Sequence, residues 1–132
     1  MPDNKQIVRD FLSASQTGDS DTMAALLHAD FCVHEAASLP YAGEHRGLEG
    51  FLALVRRVFT SFRDTRAEIR QVIGEGDTVV VLASLCGYSK HTGEAFEMPV
   101  NEIWELADGR IRRITPYYFD TARLVELAEG PA

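Results

Sequence analysis

The stretch that decides the fold reads FLALVRRVFTSF (Phe51–Phe62) and then RDTRAEIRQVIGEGDTVVVLASLCGY (Arg63–Tyr88). In the first part Phe51, Leu52, Leu54, Val55, Val58, Phe59 and Phe62 recur at helical intervals and make one broad apolar stripe. After Phe62 the period falls to two. Ala67, Ile69 and Val72 lead into the turn Gly74-Glu75-Gly76-Asp77, and Thr78 to Tyr88, rich in Val and Leu, has the composition of a central strand. Farther on, His91-Thr92-Gly93-Glu94 turns the chain, Ala95 to Leu106 makes a strand, Asp108-Gly109 signals a hairpin, and Arg110 to Phe119 makes the last long strand. Thr121 to Glu129 closes as a short helix.

Upstream of this stretch the pattern is helical. Asp3 caps a first helix, with Gln6 in capping-box spacing and Ile7, Val8, Phe11, Leu12 and Ala14 on its apolar face. Gly18 and Asp19 end it, and a short second helix carries Met23, Ala24, Leu26 and Leu27. Phe31 to Glu35 is extended, and Ala36 to Arg46, with Pro40 and Gly43, is expected to be a loop. Helices followed by four strands in an antiparallel meander specify an α+β architecture rather than a parallel α/β sheet.

The chain has 132 residues, 45% of them hydrophobic and 25% charged, which suits one globular domain over residues 1–132 and excludes a disordered tail or a rod. With 13 basic against 20 acidic residues the net charge is −7, so nucleic acid is not an expected partner. No apolar run approaches the roughly 20 residues of a membrane span, so no membrane partner is expected either. The start of the chain is polar and the two cysteines, Cys32 and Cys86, stand alone, which reads as a reducing cytoplasm, with no disulfide framework and no metal site. No phosphate-binding loop, metal-binding H-x-x-x-H or G-x-S-x-G motif occurs, so no cofactor is expected.

Three stretches carry a family resemblance: VRDFLSASQTGDSDTMAALLHADF (Val8–Phe31), RGLEGF (Arg46–Phe51), and VNEIWELADGRI (Val100–Ile111) running on to TPYYFD (Thr115–Asp120). In this element order they resemble the nuclear transport factor 2-like fold, and within it the SnoaL-like polyketide cyclases and ketosteroid isomerases. The resemblance implies a cone, three N-terminal helices packed in a strongly curved, mainly antiparallel sheet around an apolar pocket. It places the proton-moving carboxylate of that family on Glu35, the strand hydrogen-bond donor on Asn101, and the helix donor on Phe11. A phenyl ring cannot donate, so the chain departs from the isomerase pattern there.

The residues themselves support an acid–base reading. A carboxylate aimed into an apolar cavity has its pKa raised by desolvation, which suits proton transfer near neutral pH. Glu35 is the candidate, with His34 on the opposite strand face. Asn101, alternating with Pro99 and Ile103, is expected to face the cavity, and Tyr118, alternating with Pro116 and Ile114, to present its hydroxyl there while Tyr117 faces outward. Tyr41, His45 and Arg46 are expected over the mouth. Phe11, Leu54, Val58, Phe62 and Met98 serve as core or lining. The expected partner is a small apolar ligand. Val79 to Leu85 and the face Val100-Glu102-Trp104-Leu106 are expected on the outer sheet surface, where a second copy would cover them in a homodimer. Two functions stay open: an acid–base isomerase or cyclase acting on an apolar carbonyl compound, with Glu35, Asn101 and Tyr118 as its machinery, and a non-catalytic module that holds a hydrophobic ligand. His34 and Asp120 are the reserve acid–base candidates.

Overall fold

The computed structural model describes residues 3–130. Helix α1 (Asn4–Thr17) starts where the Asp3 carboxylate accepts from the Gln6 backbone N–H at 2.8 Å and ends at Gly18, whose φ of 74° is the left-handed cap that favours glycine. Helix α2 (Ser20–Leu26) is capped by Asp19. Strand β1 (Leu27–Glu35), strand β2 (Gly43–Arg46) and helix α3 (Gly47–Ser61) follow. Strands β3 (Arg63–Glu75), β4 (Thr78–Tyr88), β5 (Ala95–Ala107) and β6 (Arg110–Tyr118) form the antiparallel meander, and α4 (Thr121–Glu129) closes the chain.

The six strands make one sheet in the order β2-β1-β6-β5-β4-β3. Among the described residues only the β1–β6 pairing is parallel. Register shifts in β1–β6, β3–β4 and β5–β6 put bulges into long strands, which bend and twist a sheet. The α+β class anticipated from the period switch, and the roll implied by the resemblance, are the observed architecture. Two local expectations change. Strand β1 begins at Leu27, four residues before Phe31, and a strand lies inside the stretch expected to be a loop. The sequence Gly43-Glu44-His45-Arg46 has no apolar alternation; it is a strand because its backbone pairs antiparallel with β1, His34 opposite Glu44.

Helices α1 and α3 pack on one face of the sheet, and that face carries the core. Its rows run across the strands in register: Val79 beside Trp104 beside Ile114, and Val81 beside Glu102 beside Pro116. Phe11 of α1 meets Trp104 edge-on at 5.6 Å and Phe51 of α3 at 5.1 Å between ring centroids, which locks helix to helix and both to the sheet.

This packing reverses the expected orientation of β5. Met98, Val100, Trp104 and Leu106 are buried, whereas Pro99 and Asn101 are exposed and Ile103 is half-buried on the opposite, outer face. The physical reason is the area each row offers. The even-numbered row holds a Met, a Val, a Trp and a Leu, whose combined burial outweighs the cost of drawing in its one charge, Glu102, which is half-buried and accepts from Trp104. The face Val100-Glu102-Trp104-Leu106 is therefore inside, as are Val79, Val81, Ala83 and Leu85, and none of these is available to a second copy.

Candidate active site

Between the helices and the sheet lies a cavity of about 460 Å³. Leu12, Phe51, Leu54, Val55 and Val58 wall it from the helix side, and Val33, Leu85, Val100, Trp104 and Ile114 from the sheet side. Ser15, Gln16, Thr65 and Arg66 are polar members of the lining. Into this apolar space come two carboxylates, Glu35 and Glu102, and one phenol, Tyr118.

Topology explains why Glu35 and Tyr118 meet. Each is the last residue of its strand, and β1 and β6 run parallel as neighbours, so the two strand ends arrive together. The Tyr118 hydroxyl lies 3.1 Å from Glu35 Oε1 and 3.2 Å from Oε2, and donates to the carboxylate. Glu35 is only 4% exposed. Burial pushes its carboxyl up to about 8; the Tyr118 donation opposes this and the charge of Glu102 adds to it. Glu102 sits two strands away from β1 on the same inner face. Its Oε1 accepts from Trp104 Nε1 at 3.1 Å, and burial, opposed by that donation, pushes its carboxyl up to about 6. Burial and the nearby Glu35 charge push the Tyr118 phenol upward, so it stays protonated and remains a donor.

The other residues expected at the site separate into groups. Leu54 and Val58 line the cavity. Phe11, Phe62 and Met98 are buried in the core without lining it. Tyr41 is fully enclosed rather than spread over a mouth. Asn101 and Ile103 are on the outer face, away from the cavity between helices and sheet. His34 also points outward, where Arg113 donates to its Nδ1. A more open outer cavity of about 480 Å³ collects His34, Glu105, Arg113, Thr115 and Tyr117, and Glu35 and Tyr118 line it as well. Asp120 is occupied in capping α4, accepting from the Arg123 N–H at 3.0 Å. Glu102 is the functional candidate that sequence reasoning missed. The alternation of β5 held the signal, since a lone acid in an otherwise apolar row faces wherever that row faces.

Residues 8–114 match the model of the SnoaL-like domain. The chain belongs to the SnoaL-like family. No functionally curated protein matches it. Among solved structures, this SnoaL-like chain is similar to an NTF2-like protein of Burkholderia thailandensis E264, at 29% identity over 99% of this chain and 100% of that one, with a TM-score of 0.85. It also shares its fold with TerC, crystallised with polyporic acid, at 22% identity over 96% and 98% of the two chains and a TM-score of 0.79. A third relative in fold is IdmH, a proposed polyketide cyclase of Streptomyces antibioticus, at 22% identity over 96% and 99% and a TM-score of 0.70. The nuclear transport factor 2-like fold expected from the resemblance is thus the fold of this SnoaL-like protein.

No described helix is long and apolar enough to cross a membrane. Both cysteines are free and buried. Among the described residues, Glu68, Cys86 and Glu97 bring potential metal-ligand atoms within 4.8 Å of one another on the outer sheet face. Both carboxylates there are already paired, Glu68 with Arg66 at 3.1 Å and Glu97 with Arg70 at 3.0 Å. This grouping comes from three neighbouring strands, so no sequence spacing could have shown it.

Proposed function

We propose that this SnoaL-like protein is a cofactor-independent acid–base catalyst acting on a neutral, mainly apolar carbonyl compound held in the cone. The observation that carries the reading is the pair Glu35 and Glu102 in one apolar cavity, with carboxyl pKa values pushed up to about 8 and about 6. Between those values the pair holds one proton, on Glu35, while Glu102 is ionised. Groups whose environments push their pKa values apart divide the acid and base roles. This reverses the role first expected of Glu35: near neutrality it is the acid.

The chemistry follows. The ligand carbonyl oxygen accepts from Glu35, with the Tyr118 hydroxyl beside it, and Glu102 removes a proton from the carbon next to the carbonyl. In an isomerisation the same proton returns to a different carbon. In a cyclisation the carbon nucleophile forms a C–C bond to a second carbonyl, whose oxygen takes the Glu35 proton. One proton has then entered the pair and one has left it, so a single exchange between the two carboxyls resets the site. The preference for a neutral ligand comes from the two acids, since an anion beside ionised Glu102 would be repelled.

A homodimer remains part of the proposal, with only outward members of the first-expected stretch Val79 to Leu85, such as Val80, retained. The outer face presents Ile73, Val80 and Ile103 in one cross-strand row, with Tyr117 exposed nearby. Light scattering that gives twice the 14.6 kDa chain mass supports it, and the single-chain mass refutes it.

The test of the activity is deuterium exchange. The protein is incubated in D₂O with a panel of cyclic and aromatic-substituted ketones, and incorporation beside the carbonyl is read by mass spectrometry. Exchange that falls by about 10² or more in Glu35→Gln or Glu102→Gln supports the reading. Ketones that bind the protein without exchanging point to the non-catalytic ligand-holding module instead.

A further inference from the structure

The outer sheet face, on the other side of the sheet from the cavity, carries a second cluster of reactive side chains. Cys86 stands on β4 with Glu97 directly opposite on β5, and Glu68 of β3 lies diagonal to it, beside Ser84. Leu85 lines the inner cavity, so alternation turns Cys86 the other way. One ligating atom from each of the three residues lies within 4.8 Å of the other two. The strand order explains the convergence: the short cysteine side chain sits on the middle strand, and the longer glutamate side chains reach over it from both flanks. Cys86 is only 2% exposed, and its sulfur has no hydrogen-bond partner among the described residues although it faces two carboxylates. Burial and the charges of Glu97 and Glu68 push this thiol up, against the opposing pull of Arg66 and Arg70, so on its own it is neutral and a poor nucleophile.

We propose that Glu68, Cys86 and Glu97 hold a divalent cation of the zinc type through one thiolate and two carboxylate oxygens, with water completing the set. A thiolate selects a borderline-soft ion, and carboxylate oxygens bind the same ion at short range. Ligand atoms around one tetrahedral zinc stand about 3.3–3.7 Å apart. The grouping within 4.8 Å therefore closes onto an ion by small rotations of the two glutamate side chains. Arg66 and Arg70 do not bar it. Arg66 Nε donates to Glu68 Oε1 at 3.1 Å and Arg70 Nη2 to Glu97 Oε1 at 3.0 Å, which leaves each Oε2 without a partner among the described residues. Arg70 is itself pinned, its Nε donating to the Ser84 hydroxyl at 2.8 Å. Hydrogen bonds of this kind orient ligating carboxylates. As the sulfur–metal bond forms, the Cys86 proton passes to solvent. The ion ties β3, β4 and β5 together on the outer face and takes no part in the chemistry of Glu35 and Glu102. A lone cysteine offers no metal-ligand spacing in the sequence; here the remaining ligands come from the two neighbouring strands.

The experiment titrates the purified chain with Co²⁺, a spectroscopic stand-in for zinc, and reads the near-ultraviolet charge-transfer absorption of a thiolate–cobalt bond. The band should saturate at one ion per chain and be displaced by excess Zn²⁺. Cys86→Ser should abolish it and Cys32→Ser should leave it intact. Glu68→Gln and Glu97→Gln should each weaken Co²⁺ binding by roughly tenfold or more. No band at millimolar Co²⁺ overturns the proposal, and so does a band that survives Cys86→Ser. Both glutamates are exposed, so their variants keep the test open should Cys86→Ser fail to fold. Unchanged Co²⁺ affinity in either glutamine variant overturns the three-ligand assignment equally. The readout needs no substrate, so it is independent of the acid–base reading.

Discussion

Replacing Glu35 by Gln should make the protein gain stability relative to wild type as pH rises. Burial lifts the Glu35 carboxyl from 4.5 to about 8, so between those values the folded chain binds a proton that the unfolded chain has released. Stability then falls with rising pH across that window, being fully present below the unfolded value and lost up to the folded one. From about pH 6 to about pH 9 the loss from this group amounts to roughly 2–3 kcal/mol, at about 1.4 kcal/mol per pH unit. Glutamine keeps an oxygen to accept from Tyr118 and has no proton to lose in this range. Any constant cost of its amide cancels when the two pH values are compared. Urea unfolding of both proteins at the two pH values, with linear extrapolation, gives the four stabilities needed. The gap between them should shift by roughly 2–3 kcal/mol in favour of Glu35→Gln on going to the higher pH. Parallel pH dependences for the two proteins would refute the claim that burial raises this carboxyl.

Trp104→Phe removes the donor that holds Glu102 down, so the carboxyl should titrate above its present value of about 6, and the lost hydrogen bond and volume should cost roughly 1–3 kcal/mol by chemical denaturation. A Glu102 midpoint that stays in place would show that Trp104 does not tune it. Gly50→Ala tests the packing of α3 on β2: the new Cβ would stand 2.9 Å from the His45 carbonyl carbon, which is backbone and cannot swing away. Although alanine is the better helix former by about 1 kcal/mol, the variant should be less stable by roughly 1–3 kcal/mol. A rise in melting temperature would contradict this.

Much of the architecture was legible because burial leaves a period in the sequence. The helical stripe from Phe51 to Phe62, the alternation after it, the Asp108-Gly109 hairpin and the closing helix at Thr121 are all local signals, and each marks an observed element or turn. Strand β2 was illegible because its four residues are held by backbone pairing to β1 and not by apolar side chains. Within the site, Glu35 could be placed inside because its strand neighbours Phe31 and Val33 set the face, and Tyr118 because Ile114 and Pro116 set its own. Asn101 was placed on the wrong side of β5 by the family pattern and by taking Pro99 and Ile103 as the apolar face, although the buried row Met98, Val100, Trp104, Leu106 points Glu102 inward. The meeting of Glu35 with Tyr118 joins residues 83 positions apart through two parallel strand ends. No spacing rule reports that kind of contact.

The central claim is that two carboxyls share one proton inside the cone at neutral pH. Carboxyl ¹³C NMR across the acid-to-alkaline range, with Glu35→Gln and Glu102→Gln used to assign the signals, tests it most directly. The account predicts apparent midpoints of about 6 for Glu102 and about 8 for Glu35, with the Glu35 midpoint moving down in Glu102→Gln because the neighbouring charge is gone. Two carboxyls that both titrate near the ordinary value of 4.5, each indifferent to loss of the other, would contradict it.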